Sequence, residues 1–413
     1  MGLKKTEHST LVDKSLEDFM RDASKPASKL VLKVEAILSI PLGSFDGITY
    51  GHFGLLAGMA FSRLMGIESG VGFQFFKYLI GMSAAIGVGF FAINNVSREF
   101  RSYTSPTVPR KYRDHHNIRS GIRLFAVVVA VLSAIPFAGM AMTAGDSFPL
   151  IAYWTLVVGN TIARVLMNDY ALYNLISKLF NMWVVFKSPN KQIKLLQIEN
   201  DYREAAGLGE KQHSYNNLIK TVGVIGFIAG AYTATYLYGF AEHAVDQIGI
   251  HSRLAEQILG GIAVFPTAAL WGDDACTCFK YIAKKIINKL TGEYKEFLIP
   301  TAHPFMRDVF QVIALILLAG AGSYSESRMA YEFAATSTGF YPMLLKIFTP
   351  IAFIGIYGVS TGELVKKAFM YKDTFRGSEK IKDDVRLFKT HEREIAFVTE
   401  LDPRYVSTNQ PKV

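Results

Sequence analysis

One ionisable side chain stands inside an apolar run of the sequence, and polar residues surround it at helical spacing. Arg164 lies one helical turn from Asn160 and from Asn168, and Asp169 comes directly after Asn168. At 3.6 residues per turn, Asn160, Arg164 and Asn168 share one face. Ionisable groups within a membrane span are costly, and they face a partner or a water-filled cavity. The stripe therefore either coordinates a permeating solute, or Arg164 pairs with Asp169 or Asp274 and locks helices together.

Pairs of small polar residues end four of the apolar runs, each ahead of a basic stretch. The last pair is Ser360-Thr361, and the other three carry amide or carboxyl groups. We expect the four pairs to reach one membrane level near the cytoplasmic side. Together with the Arg164 stripe, the pairs supply the candidate residues of a transport path: Asn94, Asn95, Asn160, Arg164, Asn168, Asp169, Asp273 and Asp274.

Other chemistry has little support in the sequence. His303 and Asp308 have the spacing of a membrane acyltransferase motif, but a polar N-terminal segment contains the same spacing. The histidines and acids of 242–251 are zinc-type or iron-type ligands without a helical ligand pair's spacing. Cys276 and Cys278 lack His or Cys partners nearby. Gly-rich phosphate loops and metalloprotease motifs are absent. We therefore predict no metal site, no cofactor and no catalytic residue.

The elements that must position these residues are long apolar helices. Half of the 413 residues are hydrophobic and 19% are charged, below the quarter typical of soluble proteins. The apolar residues gather into runs as long as a bilayer is thick. The sequence predicts an all-α membrane bundle with eight spans, near 47–66, 72–94, 122–144, 149–167, 218–241, 254–272, 308–325 and 343–360.

The connections between these runs alternate in length and charge. The first, third, fifth and seventh are short or lightly charged, and the others are long and basic. Of the 44 Lys and Arg residues, 38 lie in the terminal segments and the long connections. Positively charged connections stay on the cytoplasmic side. The excess of nine positive charges is thus mainly a topology signal, and both termini should be cytoplasmic.

The ends of the chain differ from the membrane domain, which we place at 29–372. Residues 1–28 form a polar cytoplasmic segment without the apolar core of a cleaved signal. Residues 29–41 carry an apolar face and end at Pro41, which favours an interfacial amphipathic helix. A kinked extension of the first span is the alternative. Residues 373–413 form a charged cytoplasmic tail.

An Ala-Gly pair recurs in the first helix of each predicted hairpin. Small residues at such positions allow helix backbones to approach closely in lipid. Their corresponding positions predict four pseudo-repeated parallel hairpins, related by an axis along the membrane normal. The helix-packing residues are Ala57, Gly58, Ala138, Gly139, Ala229, Gly230, Ala319 and Gly320.

These features favour a multi-pass membrane protein that acts as a transporter or channel for a small solute or ion. The first alternative is a membrane scaffold, and a membrane-embedded transferase is the second. Basic amphipathic patterns at 171–187 and 276–290 suit the anionic inner leaflet, so the partners are the bilayer and anionic lipids. The basic residues form no nucleic-acid module. The sequence leaves a homo-oligomer open and does not indicate which membrane houses the chain.

Overall fold

The computed structural model describes residues 29–104, 115–187, 215–291, 304–334 and 340–375, and every element in these ranges is helical. In chain order the elements are α1 (Lys29–Leu64), α2 (Gly70–Thr104), α3 (His116–Gly145), α4 (Leu150–Lys187), α5 (Asn216–Thr233), the 3₁₀ turn Ala234–Tyr236, α6 (Leu237–Gln247), α7 (Arg253–Thr291), α8 (Pro304–Ala314), the π turn Leu315–Ala319, α9 (Gly320–Ala334) and α10 (Phe340–Phe375).

Six helical stretches in the described ranges are long and apolar enough to cross a bilayer. They correspond to six of the predicted spans, and they indicate a multi-pass integral membrane protein. The six are Gly70–Thr104, His116–Gly145, Leu150–Val184, Asn217–Ala241, Arg253–Thr291 and Phe340–Gly362.

The other two predicted spans lie in helical segments that are either less apolar or interrupted by a turn. The span at 47–66 belongs to α1, where Asp46, His52 and several glycines dilute the apolar residues. The span at 308–325 runs through α8, the π turn and α9, so the turn divides its helix. Crossing of the membrane at these two places stays a prediction.

Helices that follow each other in sequence pack together. α1 packs along α2, α3 along α4, α5 and α6 along α7, and α9 along α10. Short connections between these partners make each pair an antiparallel hairpin. One shared hydrophobic core includes Phe91, Phe137, Trp271 and Phe353, which come from all four hairpins.

Helix α1 departs from the sequence prediction at its start. Pro41 lies inside the helix and does not end it, so residues 29–64 form one continuous element, as in the alternative interpretation. The apolar residues Leu30 and Ile37 are 71% and 67% exposed, whereas Glu35 is buried. Glu35 accepts a hydrogen bond from the Ser97 hydroxyl of α2. The first turns of α1 therefore present an apolar outer face, and their polar side packs on α2.

Several helices extend beyond the predicted spans. α4 continues to Lys187 and α7 to Thr291, as the amphipathic patterns indicated, and α2 and α10 also run on to Thr104 and Phe375. Two predicted outer connections are wrong at their first residues, because α6 continues to Gln247 and α9 to Ala334. Glu326 consequently belongs to a helix and not to a loop.

Candidate functional site

An ion pair between Arg164 of α4 and Asp46 of α1 lies in the interior of the bundle. Arg164 Nε and Nη2 donate hydrogen bonds to Asp46 Oδ1 and Oδ2 at 2.7 and 2.9 Å. The two side chains are 2% and 0% exposed. The guanidinium carbon also lies 4.2 Å from the ring centroid of Phe137 and 5.0 Å from that of Tyr50. Because two parallel hydrogen bonds fix both partners in orientation, this contact ties the first hairpin to the second.

The partner of Arg164 differs from both sequence-based candidates. Asp169 and Asp274 bind other arginines, so the predicted pairings were wrong. Asp46 immediately precedes the first predicted span, and α4 follows it by more than 100 residues. No local spacing connects the two residues. The sequence shows Asp46 only as a single acid next to an apolar run. Tyr50 follows it one helical turn later, on the same helix face.

A second buried carboxylate, Glu326 of α9, binds two tyrosines. The Tyr236 hydroxyl donates to Glu326 Oε2 at 2.6 Å, and the Tyr357 hydroxyl donates to Oε1 at 2.7 Å. Glu326 is 1% exposed. The 3₁₀ turn carries Tyr236, and α10 carries Tyr357. Sequence reasoning missed Glu326 because it ends an apolar run and reads as the start of a connection.

The two carboxylates belong to one electrostatic unit. Glu326 interacts electrostatically with Arg164 and Asp46, and Tyr50 interacts with Arg164 and Glu326. The unit draws on helices of all four hairpins and contains two acids and one cation. We call its members the central cluster: Asp46, Tyr50, Arg164, Tyr236, Glu326 and Tyr357.

Aromatic rings close off the Glu326 side of the central cluster. Tyr236 stacks on Trp271 with ring centroids 5.8 Å apart, and Phe353 meets Trp271 edge to face at 4.8 Å. Phe353 in turn stacks on Tyr357 at 5.7 Å. These four side chains are at most 3% exposed. Glu326 therefore lies next to densely packed aromatic side chains.

Polar atoms on the Arg164 side are incompletely satisfied. Arg164 Nη1, the Tyr50 hydroxyl and Asn160 Oδ1 are buried and find no hydrogen-bond partner within the described part of the chain. The Asn160 amide donates to the Phe137 carbonyl oxygen at 3.0 Å. A buried polar atom without a partner costs about 1–3 kcal/mol, and an ordered water, an ion or a functional role can account for such an atom. Asn160 and Arg164 are the two sequence-predicted path residues found here.

Asp169 belongs to a separate group of charges, which we call the Arg123 cluster: Glu99, Tyr103, Arg123 and Asp169. Arg123 binds Glu99 and lies 3.0 Å from Asp169 Oδ2, which also accepts a hydrogen bond from the Tyr103 hydroxyl at 2.8 Å. The Arg123 guanidinium lies over the rings of Tyr103 and Tyr173 at 4.3 and 4.6 Å. This cluster joins α2, α3 and α4 near the basic connections.

The other candidate pairs also join helices. Arg98 Nη1 donates to Asp274 Oδ1 at 2.8 Å and to Asn95 Oδ1 at 3.2 Å, which links α2 to α7. Lys178 lies 2.8 Å from Asp273 Oδ1, which links α4 to α7. Three of the four predicted pairs thus contribute to a chain of interhelical contacts.

The remaining candidates are buried within the helix bundle. Asn168 donates to the Ser133 hydroxyl of α3 at 2.8 Å, and Asn94 is fully buried on α2. Ser360 and Thr361 of the fourth pair are 1% and 0% exposed. The Thr361 hydroxyl oxygen finds no hydrogen-bond partner among the described residues.

The glycines of the four Ala-Gly pairs lie in three kinds of environment. A Cβ on Gly58 would lie 2.7 Å from the Lys77 carbonyl oxygen of α2, and one on Gly230 would overlap the Trp271 carbonyl of α7. Both glycines face the second helix of their own hairpin. Gly139 instead approaches Ala244 of α6, and nothing lies within 4 Å of a Cβ on Gly320. Their partners Ala57, Ala229 and Ala319 are buried and Ala138 is half-buried.

Two minor sequence hypotheses fall largely outside the described side chains. His303 precedes α8 in a part of the chain that is not described, and the side chain of Asp308 is not described either. The exposed His251 Nδ1 lies 2.5 Å from Asp246 Oδ1. Among the residues described, no three His, Cys, Asp or Glu side chains are grouped to hold a metal ion.

Comparison with protein-family models, with curated proteins and with solved structures gives no match for the chain.

Proposed function

We propose that the chain is a membrane transporter for a small solute or ion, with the central cluster on its path. The observation that carries this proposal is three buried ionisable side chains, Asp46, Arg164 and Glu326, assembled inside the bundle from three different hairpins. Ionisable groups within membrane spans are rare, face the bundle interior and mark substrate or ion pathways. The unsatisfied polar atoms of Arg164, Tyr50 and Asn160 support the same role.

The predicted hairpin arrangement supplies the remaining part of the proposal. Eight spans in four parallel hairpins would surround the central cluster, and both termini would be cytoplasmic. Parallel repeats about an axis along the membrane normal place a site at their common interface. The α1 helix supports the eight-span count, because it packs along α2 and contributes Asp46 to the interior.

The Arg123 cluster is suited to close the cytoplasmic end of the path. Its cation has two acidic partners, Glu99 and Asp169, on two different helices. Arg123 is 22% exposed, whereas both acids are buried. A cation that can leave one buried acid while it keeps the other allows α2 and α4 to separate in steps. Asp169 is thus a gating residue in this proposal.

Flux measurements on the reconstituted full chain test the proposal. Proteoliposomes on a solid-supported membrane would receive concentration jumps of NaCl, KCl, sodium phosphate or mixed amino acids, and the transient current would be recorded. Neutral solutes would be tested by liposome swelling. We expect at least one solute to give a signal, and Asp46→Asn to reduce it about tenfold or more, because it leaves Arg164 as an unpaired buried cation.

Arg328→Gln is the matched control. Arg328 is a half-exposed arginine that pairs with Glu332 on the surface of α9, so its loss should leave the signal unchanged. A signal that survives Asp46→Asn at full size would contradict the assignment of the path. No signal from any solute, with correctly folded protein, would contradict transport.

A membrane scaffold is the second candidate function, and the extension of α7 favours it. Ile282, Ile286 and Leu290 are 48%, 55% and 79% exposed beyond the central part of that helix, and lysines alternate with them. Such a helix face suits an anionic membrane surface. A scaffold would lose its function on deletion of residues 376–413 and tolerate Asp46→Asn. A transporter should show the opposite pattern.

A further inference from the structure

The charge count of the central cluster leaves one acid without a cation of its own. Arg164 offers two of its hydrogen-bonding nitrogens, Nε and Nη2, to Asp46. Within the described ranges, Glu326 receives hydrogen bonds from neutral hydroxyls only. Burial of an uncompensated carboxylate is strongly unfavourable, and a buried group commonly becomes neutral instead. The central cluster therefore becomes electrically neutral when one further positive charge is present at Glu326.

The packing around Glu326 restricts what that positive charge can be. Both carboxylate oxygens are occupied by hydroxyls at 2.6 and 2.7 Å. Trp271 and Phe353 pack next to the two tyrosines with almost no exposed surface. A hard metal cation needs several oxygen ligands, and an ammonium group needs acceptors for its three N–H donors. A proton needs neither.

The partners of Glu326 are matched to a carboxyl group that changes its protonation state. A hydroxyl group can donate to a carboxylate, and its oxygen can accept from a carboxylic acid. Tyr236 and Tyr357 can therefore satisfy Glu326 in both states without movement of any heavy atom. An arginine or lysine partner would satisfy only the ionised state.

We propose that Glu326 is a proton-binding site whose loading and unloading is coupled to transport. On loading, a hydronium ion transfers its proton to Glu326 and leaves as water. The new O–H of Glu326 donates to the oxygen of one tyrosine, whose own O–H rotates away from that carboxyl oxygen. On unloading, this O–H bond breaks and the proton returns to water. The ionised carboxylate then interacts electrostatically with Arg164, Asp46 and Tyr50 of the same cluster. The coupling rests on the proposed transport function, whereas the protonation of Glu326 does not.

Infrared difference spectroscopy of the full chain in lipid vesicles tests this inference directly. The carbonyl stretch of protonated carboxyl groups would be followed between about pH 5 and pH 9. We expect a band that disappears as the pH rises, is missing in Glu326→Gln and persists in Glu332→Gln. Glu332 lies on the same helix, is 59% exposed and pairs with Arg328, so it is the matched control.

Two further variants keep the test informative if Glu326→Gln does not fold. Asp46→Asn removes a negative charge that opposes ionisation of Glu326, so the band should disappear at a pH at least about one unit lower than in the unaltered chain. Tyr357→Phe keeps the ring but removes one hydroxyl partner, and it should shift the band frequency. A band that persists unchanged in Glu326→Gln, or no pH-dependent band in the unaltered chain, would overturn the inference.

The same preparation separates this inference from the transport proposal. An intact Glu326 band without any solute current would overturn transport and leave the proton site in place. A solute current without the Glu326 band would overturn the proton site and leave transport in place.

Discussion

Arg164 shows how a single buried residue gathers several kinds of interaction. Its charge is balanced by Asp46, its flat faces lie near the rings of Phe137 and Tyr50, and one nitrogen has no hydrogen-bond partner among the described residues. The planar guanidinium provides all of these contacts at once, which an ammonium group cannot do. A lysine at position 164 would therefore keep the positive charge but could not make all of these contacts.

Replacement of either member of this pair should destabilise the bundle strongly. We expect Arg164→Gln or Asp46→Asn to lower the free energy of unfolding by about 3–5 kcal/mol, because each leaves a buried charge alone. The double variant should cost less than the sum of the two. Thermal unfolding of all four proteins in detergent measures this, and additive costs would contradict a direct pair.

The neighbouring acids Asp273 and Asp274 allow a comparison of a buried ion pair with an exposed one. Asp274 is 3% exposed and binds Arg98, whereas Asp273 and Lys178 are 37% and 54% exposed. We expect Arg98→Gln to lower stability by about 2–4 kcal/mol, and Lys178→Gln by at most about 1 kcal/mol. Thermal unfolding at low and high salt checks both. Equal losses of stability in the two variants would show that burial does not determine how strongly these ion pairs stabilise the fold.

The glycines set how closely the helices approach each other. Gly139 brings α3 against the backbone of α6, which belongs to a different hairpin. Gly320 has the same sequence setting but open space around it. The repeated Ala-Gly pair therefore serves close packing in some hairpins and not in all. The shared sequence pattern does not fix a shared packing partner.

This difference leads to a matched pair of substitutions. We expect Gly139→Ala to lower stability by about 1–3 kcal/mol, because its methyl group would overlap the Ala244 carbonyl oxygen. Gly320→Ala should be neutral, or stabilise by up to about 1 kcal/mol through its higher helix propensity. Melting temperatures of the two variants decide between these effects. A loss of stability in Gly320→Ala equal to that in Gly139→Ala would contradict the packing shown here.

Six of the eight predicted spans lie in helices that are long and apolar enough to cross a bilayer, whereas the partners of the charged residues were not predicted. Apolar run length reveals a span because bilayer thickness fixes it, and all six qualifying helices contain predicted spans. Arg164 was identified because a charge inside such a run stands out. Asp46 and Glu326 were missed because each borders an apolar run, where polar residues are expected. Which acid meets Arg164 depends on the packing of distant helices, and a single sequence carries no local signal for that.

At the scale of the whole molecule, the helices are much longer than a bilayer requires. α7 has 39 residues and α4 has 38, or about 57 Å each at 1.5 Å per residue. A hydrocarbon core is about 30 Å thick. The turns 146–149 and 248–252, which precede these two helices, are short, so we expect the excess length to project on the side of the long basic connections. The Arg123 cluster is carried by this end of the bundle.

The orientation of the bundle is testable with an impermeant maleimide on intact cells. In a chain with Cys276→Ser and Cys278→Ser, we expect Ser147→Cys to react from outside. Asn200→Cys, in a basic connection, should react only after permeabilisation, because basic connections remain cytoplasmic. The reverse pattern would invert the proposed topology, and external labelling of both positions would contradict it.

The π-helical turn Leu315–Ala319 determines where Glu326 points. A π turn accommodates one residue more than the α-helix would, and each residue turns an α-helix by about 100°. Without this extra residue, the whole of α9 would be rotated, and Glu326 would no longer face Tyr236 and Tyr357. The rotational register of α9 therefore depends on this one residue. We expect deletion of Ile316 to turn α9 by about 100° and to move Glu326 away from Tyr236 and Tyr357.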